Sequence, residues 1–450
     1  MIAAENQNQT TTIQKPRPQH HIEAGCGPVK TELTFNRIVD LTAPTVHWPK
    51  TFNRVAAGSL AIILSGCASI KAPKTLFITF GVQKEFYEND SKQIRSFLNT
   101  YTQAFQDSNP DTRIVFISYP RREFFKQIEV DSRLNLGPDL IITENYSAGE
   151  FLRRNLTTTL PNQSYFDSIY SPRIQSTAKT TSGYTFAPWV IDTQIACFNK
   201  TKINTSPTTI EELEALSASG KKIGLSSNYF ELIWTAGTQG AISEFSSLGS
   251  TKTSGQTYPA IQKWLQWLQR AALYQNISFH KDQRELITKL KKNELDWITC
   301  WGGALKDLQT TMKHNLGVAA LPNGTGTQAF PGFINYGFAL GKNSSQSQRE
   351  MAMKFIKTDV NDIAQRKLQL DNIGFLAANK NVSISPESSR VLAALHTSFN
   401  EQRKSYQKQL PGWRRYSEKN PQLEQNLQDL INGYLNIEEA LEMITTQQTE

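Results

Sequence analysis

Residues 75–143 decide the fold, because three short apolar runs alternate there with two helical patterns. The runs are TLFITF at residues 75–80, RIVFISY at residues 113–119 and LIIT at residues 140–143. Apolar residues recur at helical spacing over residues 91–106 and again over residues 124–134. This order of strand, helix, strand, helix and strand predicts an α/β fold built on a parallel, doubly wound sheet.

The later chain continues the alternation of strands and helices. We predict further strands at residues 195–199, 223–226, 297–301 and 317–320. Helical spacing predicts helices at residues 208–216, 258–274, 283–291, 346–358, 361–370 and 421–446. A chain of 450 residues is long enough for two or three domains, so we expect more than one hydrophobic core.

The charge pattern and the cysteine count exclude several classes of protein. The chain has 48 basic and 40 acidic residues, a net charge of +8. The basic residues are dispersed, whereas a nucleic-acid-binding protein usually carries a basic stripe, so we expect no nucleic-acid partner. The four cysteines and six histidines form no cluster at metal-ligand spacing, so we expect no metal ion and no cofactor.

Residues 54–67, with the sequence RVAAGSLAIILSGC, indicate where the protein works. A basic residue precedes about ten apolar or small residues, which is typical of a signal peptide and too short for a mature transmembrane helix. The polar, proline-containing residues 1–53 predict a disordered leader. Because a signal peptide begins near the start codon, we expect that the start of the chain is misassigned within this leader.

The last four residues of that run, Leu64-Ser65-Gly66-Cys67, resemble the lipobox of bacterial lipoproteins. The resemblance implies a lipoprotein signal peptide at residues 54–66, cleavage before Cys67 and a diacylglycerol on its thiol. Residues 67–74 would then form a tether between the membrane and the globular part. The location implied is periplasmic or at the cell surface, with the lipid as membrane anchor.

Short motifs occur in a particular order along residues 75–446. They are GPDLI at residues 137–141, YTFAP at 184–188, DTQIACFNK at 192–200, PTTIEEL at 207–213, LGVAALP at 316–322, MAMKFIK at 351–357 and GYLNIEEAL at 433–441. In this order the motifs resemble the bacterial extracellular solute-binding proteins of the sugar-binding type, the family that includes maltose-binding proteins.

The resemblance implies a two-lobed periplasmic-binding-protein fold, in which each lobe is a doubly wound sheet with flanking helices. Crossover hinge strands would join the lobes, and the ligand would lie in the cleft between them. By analogy, the first lobe comprises residues 75–188 and 332–378, and the second comprises residues 195–322 and 388–450. The hinges would lie near residues 188–194, 323–331 and 378–386.

The resemblance also implies a function. The chain would be the solute-binding subunit of an ABC importer and would not be an enzyme. It would capture a sugar or a sugar-like solute, such as an oligosaccharide or a glycosyl-glycerol, and deliver it to the transmembrane subunits of a permease. We expect the protein to be a monomer.

A sugar-binding cleft needs polar groups for the hydroxyls and aromatic side chains for the apolar ring faces. In α/β sheets such groups lie beyond the carboxyl ends of the strands. Loops at those positions, together with the family resemblance, give the candidate ligand contacts Lys84, Asn145, Tyr146, Trp189, Asp192, Tyr229, Trp301, Tyr336 and Trp413. Three other tryptophans are predicted to lie in the core: Trp264, Trp267 and Trp297.

Cys197 and Cys300 lie on two predicted strands of the second lobe. An extracytoplasmic location would permit a disulfide bond between them. Buried free thiols are the expectation we favour, because the pairing of the strands is unknown at this stage.

Two alternatives remain open. A protein of the same fold could bind a different ligand, such as iron, phosphate, a polyamine or a peptide. A lipid-anchored glycosidase or esterase is the other alternative. The chain has no G-x-S-x-G nucleophile motif, no H-E-x-x-H zinc motif and no P-loop, which disfavours those enzymes. A pair of glycosidase carboxylates leaves no such motif, so it stays possible.

Overall fold

The computed structural model describes residues 74–82, 87–250, 257–371, 374–406 and 408–446. The predictions about the leader, the signal peptide, Cys67 and Lys84 concern residues outside these ranges. The same holds for the predicted tether except Lys74, which begins the first strand. Within the described ranges, no helix has both the length and the apolar character that crossing a membrane requires.

The strands follow the order that the alternating pattern predicts. They are β1 (Lys74–Val82), β2 (Thr112–Pro120), β3 (Leu140–Glu144), β4 (Thr157–Thr158), β5 (Lys179–Thr180), β6 (Gly183–Tyr184), β7 (Ala187–Asn199), β8 (Ile223–Ser226), β9 (Ile277–His280), β10 (Trp297–Trp301), β11 (Leu316–Ala319), β12 (Phe333–Gly341) and β13 (Leu376–Ala377).

Helices connect these strands and cover the faces of the sheets. They are α1 (Tyr87–Asp107), α2 (Phe124–Arg133), α3 (Asn145–Arg153), α4 (Gln163–Ile169), α5 (Pro172–Ala178), α6 (Ile210–Ala218), α7 (Tyr229–Leu232), α8 (Trp234–Thr238), α9 (Ile242–Leu248), α10 (Pro259–Leu273), α11 (Gln283–Lys291), α12 (Leu305–Met312), α13 (Gln346–Asp359), α14 (Asp362–Asp371), α15 (Arg390–Tyr406), α16 (Leu410–Lys419), α17 (Leu423–Ile431) and α18 (Ile437–Thr446). Short 3₁₀ turns lie at Gly302–Ala304, Lys313–Asn315 and Pro386–Ser388.

Strand β7 belongs to two sheets. In the first lobe the strand order is β2-β1-β3-β12-β7, and in the second it is β7-β10-β8-β9. Residues 187–193 of β7 pair with β12, whereas residues 194–199 pair with β10 and β11. Strand β1 pairs in parallel with β2 and β3, and strand β8 pairs in parallel with β9 and β10. The two-lobed α/β fold is therefore confirmed, and one continuous strand crosses between the lobes.

Alternate residues of the second-lobe strands face two different cores. Ile195, Cys197 and Ile298 belong to a core that also contains the first lobe and the apolar side chains of α11, α12 and α15. Ala196 and Trp297 belong to a second core under α10, α16, α17 and α18. Because side chains alternate along a strand, the same short apolar runs supply both cores. As predicted, Trp264, Trp267 and Trp297 lie in a core, the second one.

The structure joins Cys197 to Cys300 in a disulfide bond, with their Cα atoms 5.9 Å apart. This corrects our expectation of free thiols. The reason is the antiparallel pairing of β7 with β10, which places Cys197 opposite Ile298 and Cys300 opposite Ile195. That register brings the two cysteines close enough to bridge, and neither the neighbourhood nor the direction of the two strands could be derived from the sequence.

Candidate functional site

The candidate site lies where the carboxyl ends of strands from both lobes meet. Strand β3 ends at Glu144 in the first lobe, and β8 and β10 end at Ser226 and Trp301 in the second. The segments that follow these strands carry most of the residues that the sequence singled out. We name this region the interlobe cleft and define it by residues 144–146, Asp192, residues 229–231, residues 301–303 and Tyr336.

The first-lobe wall of the cleft begins with a charged pair. An Nη of Arg121 lies 2.5 Å from a carboxylate oxygen of Glu144, and the Ser147 hydroxyl donates to the same oxygen over 3.1 Å. The next residue, Asn145, is buried, and its side-chain oxygen accepts a hydrogen bond of 2.9 Å from the backbone N–H of Asn335. Asn145 therefore fixes the start of α3 against strand β12.

The second-lobe wall is built by a helix cap and an aromatic stack. The side-chain oxygen of Asn228 accepts from the backbone N–H groups of Phe230 and Glu231, so it caps α7. The Phe230 ring stacks on Trp301, with centroids 5.6 Å apart and planes 9° apart. The indole N–H of Trp301 donates to Glu231 over 3.4 Å. Residues of α7 and the last residue of β10 thus form one wall.

Tyr146 connects the two walls. Its ring lies 5.3 Å from the Phe230 ring in an edge-to-face arrangement. Burial raises the pKa of the Tyr146 hydroxyl, and the nearby Tyr229 of the second lobe adds to the rise. The residue nevertheless keeps 47% of its surface exposed. A side chain that is surrounded by protein and still reached by water lines a cleft.

Asp192 holds the middle of the cleft floor, on the crossover strand β7. Its carboxylate accepts a hydrogen bond of 3.1 Å from the backbone N–H of Gly303, just beyond β10. The side chain is buried, and burial raises its pKa to about 7, although hydrogen bonds from the backbone around Gly302 and Gly303 oppose the rise. Asp192 therefore ties the crossover strand to the second-lobe loop and can bind or release a proton near neutral pH.

Other titratable groups in the cleft are also shifted. Burial raises the pKa of Tyr336, and the negative charges of Asp192 and Glu144 raise it further. Burial likewise raises the pKa of Glu231, with a contribution from the charge of Asp282. In both cases burial disfavours the charged form of the group.

The structure brings together six of the nine predicted contacts. Asn145, Tyr146, Asp192, Tyr229, Trp301 and Tyr336 lie in the cleft region. Whether any of them touches a ligand stays a prediction. Lys84 lies outside the described residues.

Two predicted contacts lie in cores. Trp189 is 4% exposed and packs against Phe97 and Phe338 of the first lobe. Trp413 is 8% exposed and packs against Phe245. It lies in helix α16, whose first turn contains Pro411 and Gly412. Both rings belong to hydrophobic cores, whereas Trp301 belongs to neither core, and for this reason we leave both tryptophans out of the proposed site.

Phe230 and Glu231 were not predicted, although they form the second-lobe wall. A signal for them existed in the sequence. Ser226-Ser227-Asn228 follows an apolar strand, and such residues cap helices, so an aromatic and an acidic residue in the next turn must sit at the carboxyl edge of the sheet.

The arrangement suits a neutral, hydroxylated ligand with apolar faces. Tyr146, Phe230 and Trp301 offer aromatic surface from both lobes, and Asp192 and Glu231 offer hydrogen-bonding oxygens close by. Among the residues that the structure describes, no group of three or more histidine, cysteine, aspartate and glutamate side chains could hold a metal ion.

Comparisons with known proteins agree with this architecture. The sequence model described as bacterial extracellular solute-binding protein matches residues 89–358. No curated protein matches the chain by sequence.

Three solved structures illustrate the similarity of fold. The GacH receptor of Streptomyces glaucescens, solved unliganded and with acarbose, has a TM-score of 0.64 and 14% identity over 83% of this chain and 97% of its own. Maltose-bound MalE3 of T. maritima has a TM-score of 0.61 and 16% identity, over 83% and 98%. MalE of Listeria monocytogenes, solved with maltose, has a TM-score of 0.60 and 15% identity, over 84% and 99%.

Proposed function

The chain belongs to the bacterial extracellular solute-binding proteins, and on that premise we propose that it captures a sugar or a sugar-like solute for an ABC importer. The solute would bind in the interlobe cleft. An oligosaccharide or a glycosyl-glycerol fits the proposal, because both combine several hydroxyls with apolar ring or chain surface.

One observation carries this proposal. Aromatic rings from two lobes meet in the cleft, where Tyr146 of the first lobe contacts Phe230 of the second, which is stacked on Trp301. A sugar ring presents an apolar face to such rings, while its hydroxyls reach carboxyl and phenol groups at the edge. Asp192, Glu231 and Tyr336 supply these groups.

A ligand that contacts both walls would change the relation between the lobes. It must enter between Tyr146 and Phe230, which are in contact in this structure. Ligand binding then favours whichever arrangement of the lobes gives it the most contacts, and it needs only a higher affinity for that arrangement. The crossover strand β7 would bend, and the transmembrane subunits of the permease would recognise the liganded form.

The location forms a further part of the proposal. We propose that Cys67 carries a lipid and that the protein is held on the outer side of a membrane, in the periplasm or at the cell surface. The motif at residues 64–67 and the apolar run before it support this anchor. Metabolic labelling with a tagged fatty acid tests it, since a Cys67→Ala variant should lose the label.

A thermal-shift screen tests the ligand class. The panel contains maltose, longer malto-oligosaccharides, acarbose, glycosyl-glycerols, amino acids, polyamines, phosphate and iron. A ligand at about 100 times its dissociation constant adds about 2.7 kcal/mol to the free energy of unfolding, which raises the melting temperature measurably. We expect a shift with one class of carbohydrate. Shifts with ions, amines or phosphate alone would contradict a sugar and favour a receptor of the same fold for another solute.

A glycosidase is the second candidate, because two cleft carboxyls, Asp192 and Glu231, have raised pKa values. Glycosidases need one protonated and one ionised carboxyl group. Chromatography of the bound carbohydrate after prolonged incubation separates the two functions. A solute-binding protein returns the carbohydrate intact, whereas an enzyme releases shorter sugars.

A further inference from the structure

The first lobe carries an exposed apolar patch that lies outside the interlobe cleft. Leu134 and Leu136 are 63% and 73% exposed, and Val130 and Phe77 are 41% and 38% exposed. We name these four residues the first-lobe patch. Exposed apolar side chains that cluster in this way mark a contact surface, since isolated ones carry no such meaning.

The path of the chain and one hydrogen bond place the four residues in the same region of the first lobe. Val130 lies on helix α2 one turn before Leu134, which directly follows that helix. The loop then passes Leu136 and reaches Asp139, whose carboxylate accepts from the backbone N–H of Phe77 over 2.9 Å. A cavity of about 310 Å³ opens beside them, with Phe77 and Leu136 in its lining. The patch is thus one surface shared by α2, the following loop and strand β1.

Basic side chains surround the patch. Lys74, Arg113, Arg133 and Lys342 are exposed, and none of them pairs with a carboxylate among the residues that the structure describes. Arg113 lies opposite Thr75 in the sheet, on the strand face that also carries Phe77. Asn343, next to Lys342, donates to the carbonyl of Ser132 over 3.2 Å, which places Lys342 near Arg133. The acidic residues of this region are Asp111, Glu129, Asp131 and Asp139. Asp139 is buried and Glu129 pairs with Arg154, so the exposed unpaired charge is mostly positive.

The patch also lies close to the point where the chain enters the globular part. Strand β1 begins at Lys74, and Phe77 is three residues further along the same strand. Lys74 lies seven positions after Cys67 in the chain, and an extended chain of that length spans about 25 Å at most. A lipid on Cys67 would therefore hold this end of the first lobe near the membrane surface.

From these observations we infer that the first-lobe patch rests on a membrane surface that contains anionic lipids. Phe77, Val130, Leu134 and Leu136 would enter the interface, and the basic side chains would contact the phosphate headgroups. The contact would fix the orientation of the anchored protein. This inference rests on the proposed lipid anchor for its geometry, although the patch should bind lipid by itself.

A protein partner fits these observations less well. A permease that distinguishes liganded from unliganded protein must sense both lobes, since the ligand changes their relation. The patch and its basic rim belong to the first lobe alone. A partner that binds only there could not detect whether the cleft holds a ligand.

Flotation of the full chain with vesicles tests the inference. The Cys67→Ala variant serves as the background, so that no covalent lipid holds the protein. We compare vesicles of phosphatidylglycerol and phosphatidylcholine in equal amounts with vesicles of phosphatidylcholine alone. We expect stronger binding to the anionic vesicles. Leu134→Asp/Leu136→Asp and Arg133→Glu/Lys342→Glu should each weaken it roughly tenfold or more.

The control is Leu273→Asp/Tyr434→Asp, which changes two residues of the second lobe that are 82% and 78% exposed. Every variant retains residues 54–66, so that run cannot cause a difference between them. Equal binding to both vesicles, or equal loss in the control, would overturn the inference. So would transport that is lost in the patch variants while vesicle binding is unchanged, because that result indicates a protein partner.

The same variants distinguish this inference from the proposed function. The patch lies outside the cleft, so a carbohydrate should stabilise the Leu134→Asp/Leu136→Asp variant as much as the parent chain. If no carbohydrate stabilises any variant, the proposed ligand is wrong, and the vesicle result still decides the role of the patch.

Discussion

Phe230 is held in place by packing at the position where we propose that the ligand binds. Stacking on Trp301 holds its ring in one orientation, and the Asn228 cap holds its backbone. Phe230 remains partly exposed, and it also meets Tyr146 of the first lobe. A ring that is fixed before the ligand arrives costs little conformational entropy on binding.

Replacing this ring should therefore weaken carbohydrate binding. We expect Phe230→Ala to raise the dissociation constant about tenfold or more, measured by calorimetry with the carbohydrate that the screen identifies. Tyr434→Ala removes an aromatic ring that is 78% exposed on the second lobe, and it should leave the affinity unchanged. Equal affinities of the wild type and Phe230→Ala would exclude this ring from the site.

Asp192 should make the stability of the protein depend on pH. Its pKa is raised from 3.8 to about 7 in the folded protein, so the folded state holds the proton more tightly than the unfolded state does. The stabilisation is therefore complete below about pH 4 and is lost as the pH rises through about 7. The loss amounts to at most roughly 4 kcal/mol.

Urea denaturation between pH 4 and pH 8 measures this effect. Asp192→Asn cannot ionise, so its stability should fall less over that range than the stability of the wild type. Asp107→Asn, at an exposed position, is the matched control and should follow the wild type. Parallel pH profiles for Asp192→Asn and the wild type would contradict the assignment.

The sequence could predict some residues of the cleft and not others, for a physical reason. Trp301 ends a strand, and Tyr146 and Tyr229 lie shortly after strands. The carboxyl edge of an α/β sheet is readable from strand order. Trp189 also lies at a crossover, but its side chain faces the core, because α1 supplies Phe97 on that side. The direction of a side chain depends on strand register, which a single sequence does not contain.

At the scale of elements, the disulfide fastens the crossover strand to the second lobe. Cys197 on β7 and Cys300 on β10 are 0% and 1% exposed and lie 103 residues apart in the chain. Cys300 precedes Trp301 directly, so the bridge also supports the second-lobe wall of the cleft.

Removing this bridge should destabilise the protein. We expect Cys197→Ala/Cys300→Ala to lower the free energy of unfolding by about 2–5 kcal/mol, measured by guanidinium denaturation. A reductant should have little effect on the native protein, since both sulfurs are buried, and should lower the unfolding midpoint once the chain opens. A double variant as stable as the wild type would show that the bridge contributes nothing to the fold.

Two glycines allow helices α9 and α16 to approach closely. A Cβ on Gly412 would lie 2.3 Å from the carbonyl oxygen of Ser246, and one on Gly249 would lie 1.9 Å from the carbonyl oxygen of Gly412. Because backbone atoms cause both clashes, no side-chain rotation can relieve them. The close approach also brings Phe245 against Trp413, which explains the burial of that tryptophan.

Gly412→Ala should therefore separate the two helices and destabilise the second lobe by about 1–3 kcal/mol. Gly149→Ala is the control. It lies in helix α3, and a Cβ there would meet an atom only at 3.6 Å, so alanine should be neutral or slightly stabilising. Thermal unfolding of both variants measures the difference. A destabilised Gly149→Ala beside an unaffected Gly412→Ala would contradict the packing described.

Local features of the sequence explain which helices and strands could be predicted and which could not. The helix at residues 283–291 and the strands at 223–226 and 297–301 were predicted with their observed bounds, since they are short, strongly patterned and cleanly ended. Strand β7 begins eight residues before its predicted start, because residues 187–194 are buried on both faces and show no alternation. Helix α15 was not predicted at all, since its amphipathic face is recognisable only against β7 and β11.

At the scale of the whole molecule, contacts across the lobes supplement the crossover strands. Arg173 of α5 is buried in the first lobe, and its guanidinium lies 3.9 Å from the ring centroid of Phe399 on α15 and 4.3 Å from that of Phe333. An Nη of Arg173 also donates to the Phe399 carbonyl. The two-lobed fold could be inferred from the order of motifs, whereas this contact between distant segments could not.

Hydrogen–deuterium exchange with and without carbohydrate tests the central claim most directly. If the carbohydrate binds between the lobes, exchange should slow in residues 144–147 of the first lobe and in residues 229–232 and 301–304 of the second. Residues around Tyr434 should exchange at an unchanged rate and serve as the internal control. Protection confined to one lobe, or found only outside these three segments, would contradict a ligand site in the interlobe cleft.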